Sequence, residues 1–377
     1  MELFYLKLLF VDIIGGGSGR LFEIFNGITF RYLVFFVGVL LIFFKFAFSK
    51  VYIKKNEFLV MLLGTLFIPI GVIGMASNDV ILAIDDIKPF LFFILFFLIL
   101  TQNENNSIIL LEKFCSYLLI IATIMGTLQL ILILLVKFNI LPFFVFYSIG
   151  QNTSNEIMYR GEDGLFFYKG FFFLGIGCIY AFIKRKYLLV AFLFLCVFLT
   201  QTRGLLLGTI FTILVYIVLT ARRQVAFLIF LVSPLILYFT YFITLKILFL
   251  REDVGDSNSV RFDDFKYIIS GSDLFQTLFG NGWGAEIRNR AKLENVFMEL
   301  FFKTGVIGLF SSLIVVFYVF SHFKNKYNPF LYFMLFSFLF SQTNPFIFTP
   351  MGIVLVLVCI LACRYNFDKN SDLVGLK

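Results

Sequence analysis

Long apolar stretches separated by short polar breaks run through the whole chain. Most of them approach the length of about 20 residues that a helix needs to cross a hydrocarbon core about 30 Å thick. The pattern therefore predicts an all-α polytopic membrane protein with about twelve transmembrane helices. The predicted spans are residues 3–21, 28–48, 58–76, 87–100, 114–136, 165–183, 187–201, 204–220, 225–249, 296–320, 329–342 and 346–363.

The composition favours a single membrane domain over residues 1–377. Of the residues, 60% are hydrophobic and 14% are charged, whereas a soluble domain has roughly 25% charged residues. No hydrophilic block is long enough to form a separate soluble domain. The chain starts with Met1, Glu2 and Leu3, without the basic region and small-residue cleavage site of a signal peptide. We therefore expect the first apolar run to be a retained span.

Lysine and arginine in the short loops predict the orientation of the spans. When the spans are threaded in order, the basic loops fall on one side, which the positive-inside rule assigns to the cytoplasm together with both termini. These loops contain Lys50, Lys54 and Lys55; Lys184, Arg185 and Lys186; Arg222 and Arg223; and Lys324 and Lys326. Two longer segments, about 137–164 and 250–295, are left for the outer side.

The outer segment 250–295 is the longest polar segment of the chain. Within it, apolar residues recur at helical spacing among charged ones, which predicts an amphipathic helix at the membrane interface. These residues are Phe262, Phe265, Ile268 and Ile269. A glycine-rich stretch from Gly280 to Gly284 follows and predicts a turn.

Most of the arginines fall on the predicted outer side, although lysines prefer the inner side. These arginines are Arg20, Arg31, Arg160, Arg203, Arg251, Arg261, Arg288 and Arg290. Long loops escape the positive-inside rule, but Arg203 lies in a tight turn that does not. Because a guanidinium binds phosphate bidentately and stays charged, the asymmetry indicates an anionic, lipid-linked substrate such as a pyrophosphate. The alternative is pairing with nearby acids, namely Asp253, Asp256, Asp263, Asp264 or Glu286.

Two other classes of protein are disfavoured. The net charge of +8 is dispersed over the loops, without the basic stripe of a nucleic-acid-binding protein. The five cysteines lie in or beside apolar runs and are expected to be buried thiols, not metal ligands or disulfides. We expect no metal site and no cofactor.

Four motifs together resemble the bacterial O-antigen polymerases and the related O-antigen ligases, over about residues 159–310. In the ligases, a His-Asn pair is followed by nine residues and two glycines, and here Glu294 and Asn295 precede Gly305 and Gly308 with that spacing. The other matching segments are Thr200–Gly204, Ser259–Arg261 with the turn Phe279–Gly282, and Tyr159–Phe166.

The resemblance implies a glycosyltransferase that acts at the outer, periplasmic face of the bacterial inner membrane. It would join repeat units linked to undecaprenyl pyrophosphate by transferring the growing chain onto a hydroxyl of the next unit. Membrane lipid and a chain-length regulator protein are the other partners it implies. Because the chain has no Asp-X-Asp motif in a soluble glycosyltransferase domain, we expect the reaction to be metal-independent.

One departure separates the two related families. Glu294 occupies the ligase histidine position, and His322, the only histidine of the chain, lies at the cytoplasmic end of a predicted span. Since polymerases commonly lack that histidine, the departure favours a polymerase. A ligase that transfers glycan to a lipid A core, or a flippase for lipid-linked sugars, remains the alternative. The long one-sided segment 250–295 argues against a flippase.

The candidate site residues follow from the motifs and the expected chemistry. Because cations stabilise a pyrophosphate leaving group, Arg203 and Arg261 are candidate catalytic residues. Glu294 would share a helix stripe with Gly305 and Gly308 and accept a proton from the attacking hydroxyl, or else only favour the helix N-terminus. The candidate substrate-binding residues are Arg160, Lys169, Arg288, Arg290 and Trp283. Glu299 and Lys303 are expected to be a structural i,i+4 pair.

Overall fold

The computed structural model describes residues 1–19, 23–25, 28–151, 156–159, 165–248, 254–271, 273–323 and 325–365. Helices dominate this part of the chain. The first eight are α1 (Glu2–Gly15), α2 (Phe30–Phe48), α3 (Lys55–Gly64), α4 (Phe67–Ile70), α5 (Val80–Ile87), α6 (Phe96–Ile99), α7 (Glu104–Lys137) and α8 (Phe143–Gln151). The others are α9 (Phe172–Ile183), α10 (Tyr187–Leu199), α11 (Arg203–Thr220), α12 (Arg223–Leu248), α13 (Val254–Gly271), α14 (Leu274–Phe279), α15 (Val296–His322), α16 (Pro329–Phe340) and α17 (Pro350–Ala362).

Short 3₁₀ segments and strands connect some of these helices. The 3₁₀ segments are Met75–Ser77, Lys88–Leu95 and Lys169–Phe171. The strands β1 (Glu23–Phe25) and β2 (Ile28–Thr29) form one antiparallel pair, and β3 (Ile157–Tyr159) and β4 (Phe166–Tyr168) form another. The predicted all-α architecture is therefore confirmed, with two small hairpins outside the helices.

Within the described residues, five helical segments are long and apolar enough to cross a membrane. They are Phe30–Phe48, Lys55–Ser77, Glu104–Lys137, Arg203–Thr220 and Val296–His322. Helical segments of 10 to 17 residues add further apolar length, among them Tyr187–Leu199 and Pro350–Ala362. Many side chains on the outer surface of these segments are large and apolar; for example, Phe36 and Phe43 on α2 are 61% and 67% exposed. Such a surface suits lipid and not water.

Each predicted apolar run contains a helix, but several helices differ from the predicted spans in their bounds or in their type. The run predicted from residue 114 belongs to α7, which starts at Glu104 because Asn103 accepts a hydrogen bond from the backbone N–H of Asn106 and caps it. The polar residues of its first turns hid this start. The run predicted as a span over residues 87–100 is mostly 3₁₀, with Pro89 at its start.

The centre of the bundle is formed by α9 and α17. Phe172 to Ala181 and Met351 to Ala362 are all buried.

Arg31, one of the predicted outer arginines, is 1% exposed and pairs with Asp12, with Nε 2.8 Å from Oδ2. Its Nη1 also donates to the carbonyl of Gly17 at 2.7 Å. Arg31 therefore joins α1 to α2 and is occupied by structural contacts.

Helix α15 is interrupted at Gly305, whose backbone is left-handed with φ 66° and ψ −172°. The turn after α14 fits against this interruption. Asn281 and Gly282 donate backbone N–H groups to the carbonyls of Phe302 and Lys303, both at 2.9 Å. A Cβ at Gly305 would overlap the carbonyl of Leu278. The expectation that Glu294, Gly305 and Gly308 share one continuous helix stripe is wrong, because the helix is broken at Gly305 where the turn packs against it.

Helix α13 lies where the amphipathic helix is predicted, but its apolar residues do not share one environment. Ile268 is 2% exposed, whereas Phe262, Phe265 and Ile269 are 68%, 50% and 59% exposed. The buried Ile268 packs against residues of the segment between the glycine-rich turn and α15, including Ile287 and Leu293.

Candidate functional site

A cavity of about 850 Å³ lies where α15 and α17 begin and where the 3₁₀ turn before α9 starts. A volume in this range fits the head of a large ligand, since small-molecule sites measure about 300–1,000 Å³. Charged side chains of both signs line it together with aromatic ones. The charged residues in its wall are Asp85, Asp86, Lys88, Lys169, Lys292 and Glu299.

Three lysines supply positive charge to this cavity. Lys88 pairs with Asp85 at 2.7 Å, and both side chains are about half exposed. Lys169 precedes α9 in the turn that links it to the β3–β4 hairpin. In the part of the chain that the structure describes, no carboxylate pairs with Lys292. Ammonium groups in these positions can bind an anionic group that enters the cavity.

A buried ionic cluster includes two of the acids that line the cavity, Asp86 and Glu299. The ammonium of Lys303 is 2.7 Å from Oδ2 of Asp86 and 3.1 Å from Oε1 of Glu299, and it also donates to the carbonyl of Ala291 at 2.7 Å. The side chains of Lys303 and Asp86 are 2% and 4% exposed. Because a buried ion is costly unless it is paired and hydrogen-bonded, these contacts must form together as α5 and α15 pack.

The glycine-rich turn from Gly280 to Gly284 brings these elements together. The backbone N–H of Gly284 donates to Oδ2 of Asp86 at 2.9 Å. Asn78 donates to the carbonyls of Asn281 and Trp283, at 2.8 and 3.0 Å. Gly282 has φ 83°, and a Cβ there would overlap the backbone of Gly74. The turn thereby fixes the segment before α5 against the first half of α15.

Trp283 lines the cavity from a position that is almost completely buried. The residue is 2% exposed, and its indole N–H donates to the carbonyl of Ile68 at 2.8 Å. Its ring packs against Phe90 with the ring centroids 5.2 Å apart. The predicted contact with substrate is therefore limited to the edge of the ring that reaches the cavity wall.

Three of the predicted arginines form ion pairs with acids around α13. Arg261 pairs with Glu294, Nη2 to Oε2 at 2.5 Å, with side chains 34% and 47% exposed. Arg288 lies 3.3 Å from Asp263, and Arg290 pairs with Asp264. The alternative interpretation, pairing with nearby acids, thus describes these contacts in part. These three arginines and Glu294 do not line the cavity.

Arg203 is the first residue of α11, and its side chain is half-buried. Among the described residues, no carboxylate pairs with it. The neighbouring Gly204 packs so closely on Thr343 that a Cβ there would overlap the threonine hydroxyl. The next residues, Asn344 and Pro345, line the cavity. Gly204, the residue after Arg203, thus contacts the segment that leads into the cavity wall, whereas Arg203 itself does not line the cavity.

Arg160 lies outside the described residues, as do Gly161 to Gly164 of the same motif. The strands on either side, β3 and β4, pair from Ile157 with Tyr168 to Tyr159 with Phe166. This hairpin is anchored on the residues after α1, because the hydroxyl of Tyr168 donates to the carbonyl of Gly15 at 2.9 Å.

Sequence reasoning missed several charged residues of the cavity. Asp85 and Asp86 stand directly before an apolar run, and that position could have marked them as acids at the outer boundary. Glu299 and Lys303 have the predicted i,i+4 contact, but the contact extends to Asp86, which lies 217 positions away from Lys303. Lys88 and Lys292 carried no recognisable signal. In the described ranges, no three His, Cys, Asp or Glu residues form a metal-binding group.

The comparisons with known proteins identify the family. The chain is 32% identical over 367 residues to an O-antigen polymerase of Shigella flexneri. The aligned region covers 95% of this chain and 93% of the relative. No protein-family profile matches the chain, and no solved structure is significantly similar to it. Identity at this level over nearly the full length of both proteins confirms the resemblance drawn from the motifs. The chain is a multi-pass bacterial membrane protein and belongs to the O-antigen polymerase family.

Proposed function

We propose that this protein joins O-antigen repeat units carried on undecaprenyl pyrophosphate. The growing glycan leaves its lipid carrier and is transferred to a hydroxyl of the next lipid-linked unit. The observation that carries this proposal is the cavity, whose wall contains three lysines and three carboxylates. A site for this reaction needs cations for the leaving pyrophosphate and a base for the attacking hydroxyl.

The position of the cavity along α9 supports a periplasmic location. Lys169 lies just before α9, and Lys184, Arg185 and Lys186 directly follow its other end at Ile183. The positive-inside rule assigns such a basic loop to the cytoplasm. The cavity then faces the periplasm, where a lipid-linked unit of the inner membrane presents its glycan.

The cationic side chains bind different portions of the substrate in the proposed site. Lys88, Lys169 and Lys292 bind the pyrophosphate in the cavity, and Arg203 reaches it from beside the wall. The substrate also contacts arginines outside the cavity, namely Arg261, Arg288 and Arg290 on the partly exposed surface near α13. These guanidinium groups can donate further hydrogen bonds besides those in their ion pairs. Arg160 binds the substrate in the same way from the segment between β3 and β4. Trp283 contacts a sugar through the part of its side chain that lines the cavity. The sequence proposes Glu294 as the proton acceptor, but its carboxylate is engaged by Arg261 outside the cavity wall.

The remaining features of the proposal concern topology and partners. We place about twelve spans in the bacterial inner membrane, with both termini cytoplasmic and the segments 137–164 and 250–295 periplasmic. The reaction proceeds without a metal ion or cofactor. A chain-length regulator protein is a further partner in the membrane.

A strain that lacks this protein tests the proposed function. Loss of a polymerase leaves surface lipopolysaccharide with a core capped by a single repeat unit, and complementation with the wild-type chain restores the ladder of long chains. A bare core in the deletion strain contradicts the proposal, because it indicates that ligation or transport of the lipid-linked unit has failed.

A further inference from the structure

We infer that Glu299, at the first turn of α15, is the proton acceptor for the attacking hydroxyl. This inference rests on the proposed function and names a residue in the same cavity. Glu299 lines the cavity, and its side chain is 14% exposed. Glu294, in contrast, is 47% exposed, pairs with Arg261 and lies outside the cavity wall. A general base must lie within hydrogen-bond reach of the proton that it takes.

The hydrogen bonds of the three acids in the cavity wall favour Glu299 among them. Oδ2 of Asp86 is fixed by two short bonds, 2.7 Å to Lys303 and 2.9 Å to Gly284, and the side chain is 4% exposed. The bonds of Glu299 are longer, 3.1 Å to Lys303 and 3.2 Å to the backbone N–H of Leu293.

Asp85 is the third acid, and its side chain is less firmly held than that of Glu299. It pairs with Lys88 at 2.7 Å while both side chains are about half exposed to solvent. Glu299 projects from a helix that Asn295 caps through bonds to the N–H groups of Phe297 and Met298. Its carboxylate is therefore held in one position, yet it faces the cavity.

The charge of the cluster also suits the uptake of a proton. One ammonium, Lys303, serves two carboxylates, Asp86 and Glu299, so the cluster has a formal charge of −1. Protonation of Glu299 makes the cluster neutral and leaves the shorter pair between Lys303 and Asp86 intact.

The proposed step is a single displacement. The acceptor hydroxyl oxygen forms a bond to the anomeric carbon of the growing chain, and the bond between that carbon and the pyrophosphate oxygen breaks. The pyrophosphate leaves with the electron pair and remains on its lipid carrier, bound by the cavity lysines. The hydroxyl proton moves to the carboxylate of Glu299.

The test uses the purified full-length protein in liposomes. The substrate is undecaprenyl-pyrophosphate-linked repeat units extracted from a strain without the polymerase. Turnover is followed by released undecaprenyl pyrophosphate, and thermal unfolding of each variant is measured alongside. Glu299→Gln keeps the shape of the side chain but cannot take the proton, and Glu299→Asp keeps a carboxylate at shorter reach. Glu286→Gln is the matched control, because Glu286 is exposed and does not line the cavity.

The inference expects kcat of Glu299→Gln to fall by about 10²–10⁴-fold, the usual contribution of a general base, with KM unchanged. Glu299→Asp should lie between that variant and the wild type, and Glu286→Gln should retain turnover. Wild-type kcat in Glu299→Gln, or a loss that only follows the loss of folded protein, overturns the inference. If Glu299→Gln does not fold, Glu299→Asp decides, and wild-type kcat there overturns it. Wild-type protein that releases no undecaprenyl pyrophosphate contradicts the proposed function instead.

Discussion

Arg261 and Glu294, 33 positions apart in the sequence, form an ion pair in which Nη2 and Oε2 are 2.5 Å apart. The pair connects α13 to the residue before the cap of α15. Two residues for which the sequence suggests separate chemical roles therefore bind each other in the folded protein. Their effects on polymerisation cannot be independent, because each determines the position of the other.

We predict that Arg261→Ala shortens the ladder of long chains, whereas Glu294→Gln keeps it. The glutamine oxygen can still accept the bond from Nε of Arg261, which is 2.6 Å from the carboxylate. Because both side chains are partly exposed, the ion pair itself contributes only about 0–1 kcal/mol. Gel analysis of lipopolysaccharide at matched expression measures the ladder. The double variant should resemble Arg261→Ala, and a full ladder in Arg261→Ala removes this arginine from the mechanism.

For Arg203 we predict a larger effect than for any other arginine tested singly. In the described part of the chain it has no carboxylate partner, so its charge is available to an anion beside the cavity. Arg203→Ala should abolish long chains, and Arg203→Lys should restore them only in part because an ammonium lacks the bidentate fork.

A matched arginine controls for general effects of charge removal. Arg222 is exposed on the predicted cytoplasmic side, and Arg222→Ala should leave the ladder intact. Equal ladders in Arg203→Ala and Arg222→Ala, at equal levels in the membrane, would show that Arg203 takes no part in polymerisation.

The sequence predicted the helices well, because an apolar run long enough for a membrane has few other stable structures. It predicted the site less well. Asp86 and Lys303 meet across 217 positions, and no local pattern encodes such a contact. The i,i+4 spacing of Glu299 and Lys303 was visible, but only the packing of α5 against α15 makes the pair part of a cavity wall.

The glycine-rich turn illustrates the same limit. Its composition predicts a turn, yet its position depends on the interruption of α15 at Gly305. That interruption is hidden in the sequence, because one glycine in an apolar run also suits a close helix contact. The pairing of arginines with Asp263 and Asp264, in contrast, is predictable, since these acids lie in the same polar segment as Arg288 and Arg290.

Gly305→Ala should destabilise the protein more than a glycine substitution at a comparable helix position. With φ 66° and ψ −172°, Gly305 has a conformation that essentially only glycine adopts and that costs another residue about 1–3 kcal/mol. The added Cβ would also overlap the carbonyl of Leu278. Thermal unfolding in detergent measures the loss. Gly271→Ala, at the end of α13, is the control because no atom lies within 4 Å of the added Cβ. Equal midpoints for the two variants contradict the proposed role of the turn.

Lys303→Met should be the most destabilising of these substitutions. Among the described residues, it leaves buried Asp86 with the backbone N–H of Gly284 as its remaining donor. Breaking a buried pair from one side costs about 3–5 kcal/mol. The double variant Asp86→Asn with Lys303→Met should recover part of this loss, because it removes both charges. Lys88→Met, which breaks the half-exposed pair with Asp85, should cost only about 0–1 kcal/mol. Unfolding midpoints for the three variants test this order, and a Lys303→Met midpoint as high as that of Lys88→Met contradicts the buried cluster.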